Sequence, residues 1–291
     1  MKRLLSALFR SALVLSGFLF IFNLPLILGI GVDSVEIHFD QFWEVVKNNL
    51  QFLFQIKDDM YLSLFKQLDI TGSYQYTMSI LLISLTGIIL IAMVTMVLIM
   101  IAPEKIRIYL KNGVNFFEAV PDLLIIFLFQ FFVISLYKAT GFKFLRLYGV
   151  FGVKPYFIPI ITVSFLPLFL LLQFLIQVIT EEQNQLYVLY VKAKGIGRLR
   201  TLLIHMIRNI LPLIVLQLRT VIWVLLSNIY LVEHMFNING FTKQFVIIIY
   251  QGGDFASLVA CLLMLSLPLL VIEAAGWLVS KRIKGTEAVS L

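Results

Sequence analysis

Runs of about 20 consecutive apolar residues recur along this chain, and no other feature constrains its fold as tightly. A helix rising about 1.5 Å per residue needs roughly that length to cross the hydrocarbon core of a bilayer. The runs fall at residues 11–31, 76–101, 115–137, 156–179, 210–232 and 256–280. Composition agrees: 60% of the 291 residues are apolar and 13% are charged, a balance outside that of soluble globular proteins. The 26 phenylalanines are spread along the whole chain rather than gathered in one stretch, which argues against a soluble domain carrying a single anchor. The expected fold is all-α: a polytopic membrane bundle of about six transmembrane helices. No internal repeat at a fixed period and no low-complexity linker divides the chain, so residues 1–291 read as one transmembrane domain.

The net charge of +7 is not the footprint of a nucleic-acid partner. The basic residues stand in short clusters between apolar runs, with no interleaved aromatic and basic face. They read instead as topology signals, because cytoplasmic loops near membrane ends carry the excess of Lys and Arg. An inside amino terminus puts Lys2, Arg3, Arg10, Lys105, Arg107, Lys111, Lys192, Lys194, Arg198, Arg200, Arg208, Lys281, Arg282 and Lys284 on the cytoplasmic side. Both termini are then cytoplasmic, and the protein is multi-pass in the plasma (inner) membrane. The first apolar run follows Lys2, Arg3 and Arg10 as in a signal peptide, but it is about 20 residues long without a small-x-small cleavage site, so it reads as a retained helix. Residues 33–74 mix Trp43, Glu44, Lys47, Asp58 and Asp59 with apolar residues and are expected to fold outside the bilayer as one or two amphipathic helices.

Residues 181–208 form the most informative interval, at the start of EEQNQLYVLYVKAKGIGRLRTLLIHMIRNILP (Glu181 to Pro212). Tyr187, Val191 and the group Leu199, Leu202, Leu203 and Met206 recur at helical spacing, and Gly195-Ile196-Gly197 interrupts them. The pattern predicts two short helices around a glycine turn, lying along the membrane surface. On charge alone, a basic loop holding anionic lipid headgroups fits as well.

YVKAKGIG, followed by His205, Arg208, Asn209 and Pro212, resembles the cytoplasmic coupling motif of binding-protein-dependent ABC permeases, oligopeptide/dipeptide subgroup. VEHMFNINGF (Val232 to Phe241), Asp254-Phe255, Glu273 and the closing Lys281 to Ile283 resemble that family's later segments. Leu189, Tyr190 and Val191 stand where the family usually has small residues. The resemblance implies a type I ABC importer bundle in which Lys192, Ala193, Lys194, Gly195, Arg198, His205, Arg208 and Asn209 contact a cytoplasmic ATPase. It also implies a second permease subunit, two ATPases and an extracellular substrate-binding protein as partners, alongside membrane lipids. Its cargo would be a peptide or a related small solute such as nickel or another metal complex. ATP and Mg²⁺ would belong to the partner ATPases, since this chain has no P-loop sequence. The chain itself is expected to translocate rather than catalyse.

Ionisable residues inside the apolar runs need partners. Arg219 lies about 16 Å along a helix from Arg208, and Glu273 and Asp122 fall at comparable depth by the same count. A structural pair between Arg219 and one of these acids is the first expectation, and a substrate charge site is the second. Glu233, Phe236 and Gly240 mark either an outer gate or binding-protein contact, or a capped helix end with a turn at Gly240. No Cys or His spacing suits a metal: Cys261 is the one cysteine, and His38 and His234 stand alone. An ion-coupled secondary transporter would be expected to show inverted repeats, and an intramembrane enzyme would need a nucleophile and base set. A channel or scaffold working without an ATPase stays open on composition.

Overall fold

The computed structural model describes residues 16, 17, 20, 23, 28–30, 35–37, 39–54, 69–141, 154–250 and 255–287. It is nearly all helical. Two thirds of the expected first span at 11–31 lies outside the described residues, as do residues 55–68 of the 33–74 segment.

The chain divides into two compact units. In the smaller, Met1–Leu64 with Ile248–Leu262, strands β1 (Leu28–Ile30) and β2 (Val35–Ile37) pair antiparallel, Gly29 opposite Glu36. Helix α1 (Phe39–Phe54) follows. Phe42 is buried there, edge-to-face against Phe20 and Trp43 with ring centroids 5.3 and 5.4 Å apart. One or two helices were expected over 33–74, and α1 is one; the strand pair was not expected, and β1 puts strand at Leu28–Ile30 where the first spanning helix was expected to continue.

The larger unit, Phe65–Ile247 with Leu263–Leu291, contains α2 (Ile70–Ile101), α3 (Glu104–Glu118), α4 (Asp122–Thr140), α5 (Phe157–Glu182), α6 (Leu186–Ala193) and α7 (Arg198–Met235). Two further helices are α8 (Phe241–Tyr250) and α9 (Phe255–Glu287). Four of these, α2, α4, α5 and α7, are long and apolar enough to cross a membrane, and α9 contains the shorter apolar stretch Ser257–Ile272. Packing centres on α2, α5 and α7, where Leu81, Ala92, Val163, Leu175, Ile179, Val221 and Leu225 are fully buried. Leu90, Val94, Leu98, Phe131 and Leu216 point outward and exposed, the arrangement that a hydrocarbon solvent permits and water does not.

Two expectations are corrected here. The second span begins at Ile70, not at 76, because Asp69 turns left-handed (φ 45°) and its carboxylate accepts the Gly72 N–H at 3.3 Å, starting the helix early. The third span runs from Asp122 to Thr140, not from 115 to 137. Pro121 disfavours helical geometry at Val120, so α3 ends at Glu118 and α4 starts afresh. The separate amphipathic α3, one face of which packs on α5 through Val114 and a Phe117–Phe169 ring stack at 4.9 Å, was not foreseen.

Candidate functional site

The connection between α5 and α7 is built from two helix endings and one carboxylate. Helix α6 buries Val188 and Val191 and turns Leu186, Leu189 and Tyr190 outward. Its end is closed by a paired cap: Gly195 N–H donates to the Lys192 carbonyl at 2.9 Å and Ile196 N–H to the Val191 carbonyl at 3.4 Å. Such a cap needs a left-handed residue, and Gly195 supplies it at φ 74°. The chain then extends through Gly197, whose carbonyl accepts from the Thr201 N–H and hydroxyl at 3.0 and 3.1 Å.

The second short helix expected here is not separate. Arg198 starts α7 directly, and Thr201–Met206 form a π-helical stretch that runs without interruption into the spanning helix. The apolar face explains the continuity, since Leu202 and Met206 are buried in line with Ile210 and Ile214. π-Helical segments inside long helices are frequent at functional sites.

Glu182, at the end of α5, ties the connection together. Its Oε1 accepts from the Tyr187 hydroxyl of α6 at 2.5 Å and from the Asn209 side-chain amide of α7. Burial, then the Glu182 carboxylate, push the Tyr187 phenol above its ordinary range. Sequence reasoning gave Asn209 a place in the motif but missed Glu182, which sits in an acidic pair at the end of an apolar run, a position that looks like ordinary helix termination.

The proposed contact residues fall as follows. Lys192, Ala193, Lys194, Gly195 and Arg198 are exposed, and the Lys194 ammonium lies over the Tyr190 ring, 4.4 Å from its centroid. Lys192 and Arg198 share a groove of about 330 Å³ with Met100, Gln183, Thr201, Leu202 and Met206. His205 is half-buried on the π-helical stretch, and Arg208 and Asn209 are exposed on the following turn, outside that groove.

At the far end of α7 a second cluster forms. Phe236 is buried, and Asn237, left-handed at φ 49°, closes α7 with the same paired cap: Asn237 N–H to the His234 carbonyl at 3.2 Å and Ile238 N–H to the Glu233 carbonyl at 2.9 Å. The turn therefore belongs to Asn237 rather than to Gly240. Gly240 is required for a different reason, since a Cβ there would stand 2.0 Å from the Glu233 carboxyl carbon. Glu233, only 1% exposed, accepts from the Thr77 hydroxyl of α2 at 2.5 Å, the Thr242 N–H at 2.9 Å, the Lys243 N–H at 3.4 Å and the Thr242 hydroxyl. Thr77 in turn accepts the Phe241 N–H at 2.8 Å. The first N–H groups of α8 have no partners within their own helix, and a carboxylate from α7 with a hydroxyl from α2 takes three of them. A negative charge at a helix N-terminus is also favourable electrostatically.

Asp122 is the first residue of α4, whereas Arg219 sits in the middle of α7. The Glu273 side chain lies outside the described residues.

The family model described as "Binding-protein-dependent transport system inner membrane component" matches residues 99–285, more than half of the chain, including the α5–α7 connection and Glu233 but not Thr77. A search of curated proteins found no match.

Proposed function

The chain belongs to the family of binding-protein-dependent transport system inner membrane components, and from that premise we propose that it forms one half of the translocation pathway for a peptide or a related small solute, coupled to cytoplasmic ATPases through residues 181–208. The membership makes it a multi-pass permease subunit of an ABC importer. Both termini and the α5–α7 connection are cytoplasmic in this reading, as the Lys and Arg distribution requires. A second permease completes the pathway, two ATPases supply ATP and Mg²⁺, and an extracellular binding protein delivers cargo. Lys192, Ala193, Lys194, Gly195 and Arg198 seat on the ATPase.

The observation that supports this most is mechanical. Helix α6 presents Leu186, Leu189 and Tyr190 outward, while Glu182, at the end of α5, bonds to Tyr187 of α6 and to Asn209 in the cytoplasmic part of α7. A push on α6 is thereby delivered to two spanning helices together, as rigid-body rocking demands, and an apolar helix face with basic flanks suits a groove on a partner.

Co-expression with the neighbouring candidate ATPases, followed by affinity purification in detergent, tests the reading. The native chain is expected to carry the ATPases with it, and Arg198→Glu, which reverses a charge at the mouth of the groove, is expected to lower their recovery about tenfold or more. A chain that purifies alone would leave the secondary-transporter or scaffold alternatives in its place.

A further inference from the structure

A polar groove runs along a helix whose apolar character should exclude one. α5 is long and apolar enough to cross a membrane, yet Gln173, Gln177 and Glu181 recur at four-residue spacing and so share a face. Gln177 and Glu181 are exposed and Gln173 is half-buried; the Gln177 amide donates to Glu181 Oε1 at 3.1 Å. α3 supplies the opposite wall. The Lys111 ammonium donates to the Thr180 hydroxyl at 3.0 Å, and Asn115 lies exposed one turn further on. With Ile176, these residues line a groove of about 350 Å³. Gln173 precedes the end of α5 by about 13 Å, so the stripe leads from the helix end into the depth of the membrane. Primary amides facing hydrocarbon would leave their donors and acceptors unpaired, so this face meets water or another protein.

We propose that the groove between α3 and α5 is a wet wall of the translocation path and a contact site for a short zwitterionic peptide, an inference that rests on the importer reading above. The amides of Gln173, Gln177 and Asn115 both donate and accept, as the backbone of a peptide requires. Lys111 meets a carboxylate, and Glu181 meets an ammonium. A bare divalent cation would require several converging ligands, and Glu181 is the groove's one carboxylate among the described residues.

The test uses the assembled transporter in inside-out membrane vesicles, with Gln173→Cys and Gln177→Cys made singly. Cys261 is buried, and the chain without an introduced cysteine sets the background rate. Both introduced thiols are expected to react with a cationic methanethiosulfonate about tenfold or more faster than Leu90→Cys, an exposed position among apolar residues on α2. Saturating trialanine is expected to slow both reactions about threefold or more, while maltose, which carries neither amide nor charge, does not. Rates matching those of Leu90→Cys would overturn the wet wall in favour of lipid or a partner subunit covering this face. Unchanged labelling in trialanine, or equal slowing by maltose, would overturn the peptide contact. Neither result bears on ATPase co-purification, so failure here is distinguishable from failure of the coupling proposal.

Discussion

Glu233→Ala is expected to be the most damaging single substitution in the described part of this protein, lowering stability by about 3–5 kcal/mol, since each buried donor left without an acceptor costs roughly 1–3 kcal/mol. The side chain is 1% exposed and accepts four hydrogen bonds from two other helices. Removing it leaves the Thr242 and Lys243 N–H groups without acceptors and leaves the Thr77–Phe241 hydrogen bond as the polar tie between α2 and the start of α8. Glu233→Gln should cost roughly half as much, because the carboxamide keeps the shape and one acceptor, while its NH₂ can face the Thr77 hydroxyl. Gly240→Ala should approach the alanine variant in severity by the opposite route, forcing a Cβ to 2.0 Å from the same carboxyl carbon. Thermal unfolding in detergent followed by size-exclusion chromatography reads the order. A Glu233→Ala protein as stable as the native one would contradict the capping role.

Gly195→Val is expected to leave the chain folded and abolish most of its transport. Nothing lies within 4 Å of a Cβ built at this position, so the substitution meets no clash; its cost comes from the backbone alone. Gly195 sits at φ 74°, where a β-branched residue is a steric outlier, and the left-handed penalty of about 1–2 kcal/mol is relieved by abandoning the cap. Losing the cap frees Ile196 and lets α6 turn relative to α7. Gly195→Asn is the control, since Asn tolerates this conformation, as Asn237 does at the end of α7. Transport in reconstituted vesicles should fall about tenfold or more for Val, with the melting temperature nearly unchanged, and recover substantially for Asn. Equal transport by both variants would show that α6 is not held by this turn.

How far the sequence discloses such features depends on the range of the interaction involved. The apolar runs that became α2, α5 and α7 are periodic signals carried within one helix, and each lies where a bilayer-spanning stretch was expected. Gly195 is equally local: a break in a helical pattern followed by an extended residue. The split between α3 and α4 was present as Val120-Pro121, but Val114 and the Phe116-Phe117 pair extend the apolar run upstream, and hydropathy alone cannot separate a spanning helix from the end of an amphipathic one. A similar continuity joined Arg198–Met206 to the spanning helix, because Leu202 and Met206 keep the face of Ile210. The capping of α8 by Glu233 and Thr77 was not legible at all. It joins residues 156 positions apart, and no periodicity encodes which helices meet. Gly240 drew notice as a turn residue, whereas its place in the fold is to let a carboxylate come close.

The central claim, that residues 181–208 seat on an ATPase, is tested most directly by photo-crosslinking in intact membranes. A benzophenone amino acid at Ala193, exposed at the end of α6, should give a single adduct containing the ATPase, and the same group at Lys138, near the opposite end of α4, should give none. Adducts at Ala193 made only with lipid, or with no protein at all, would contradict the coupling account and favour a basic surface loop.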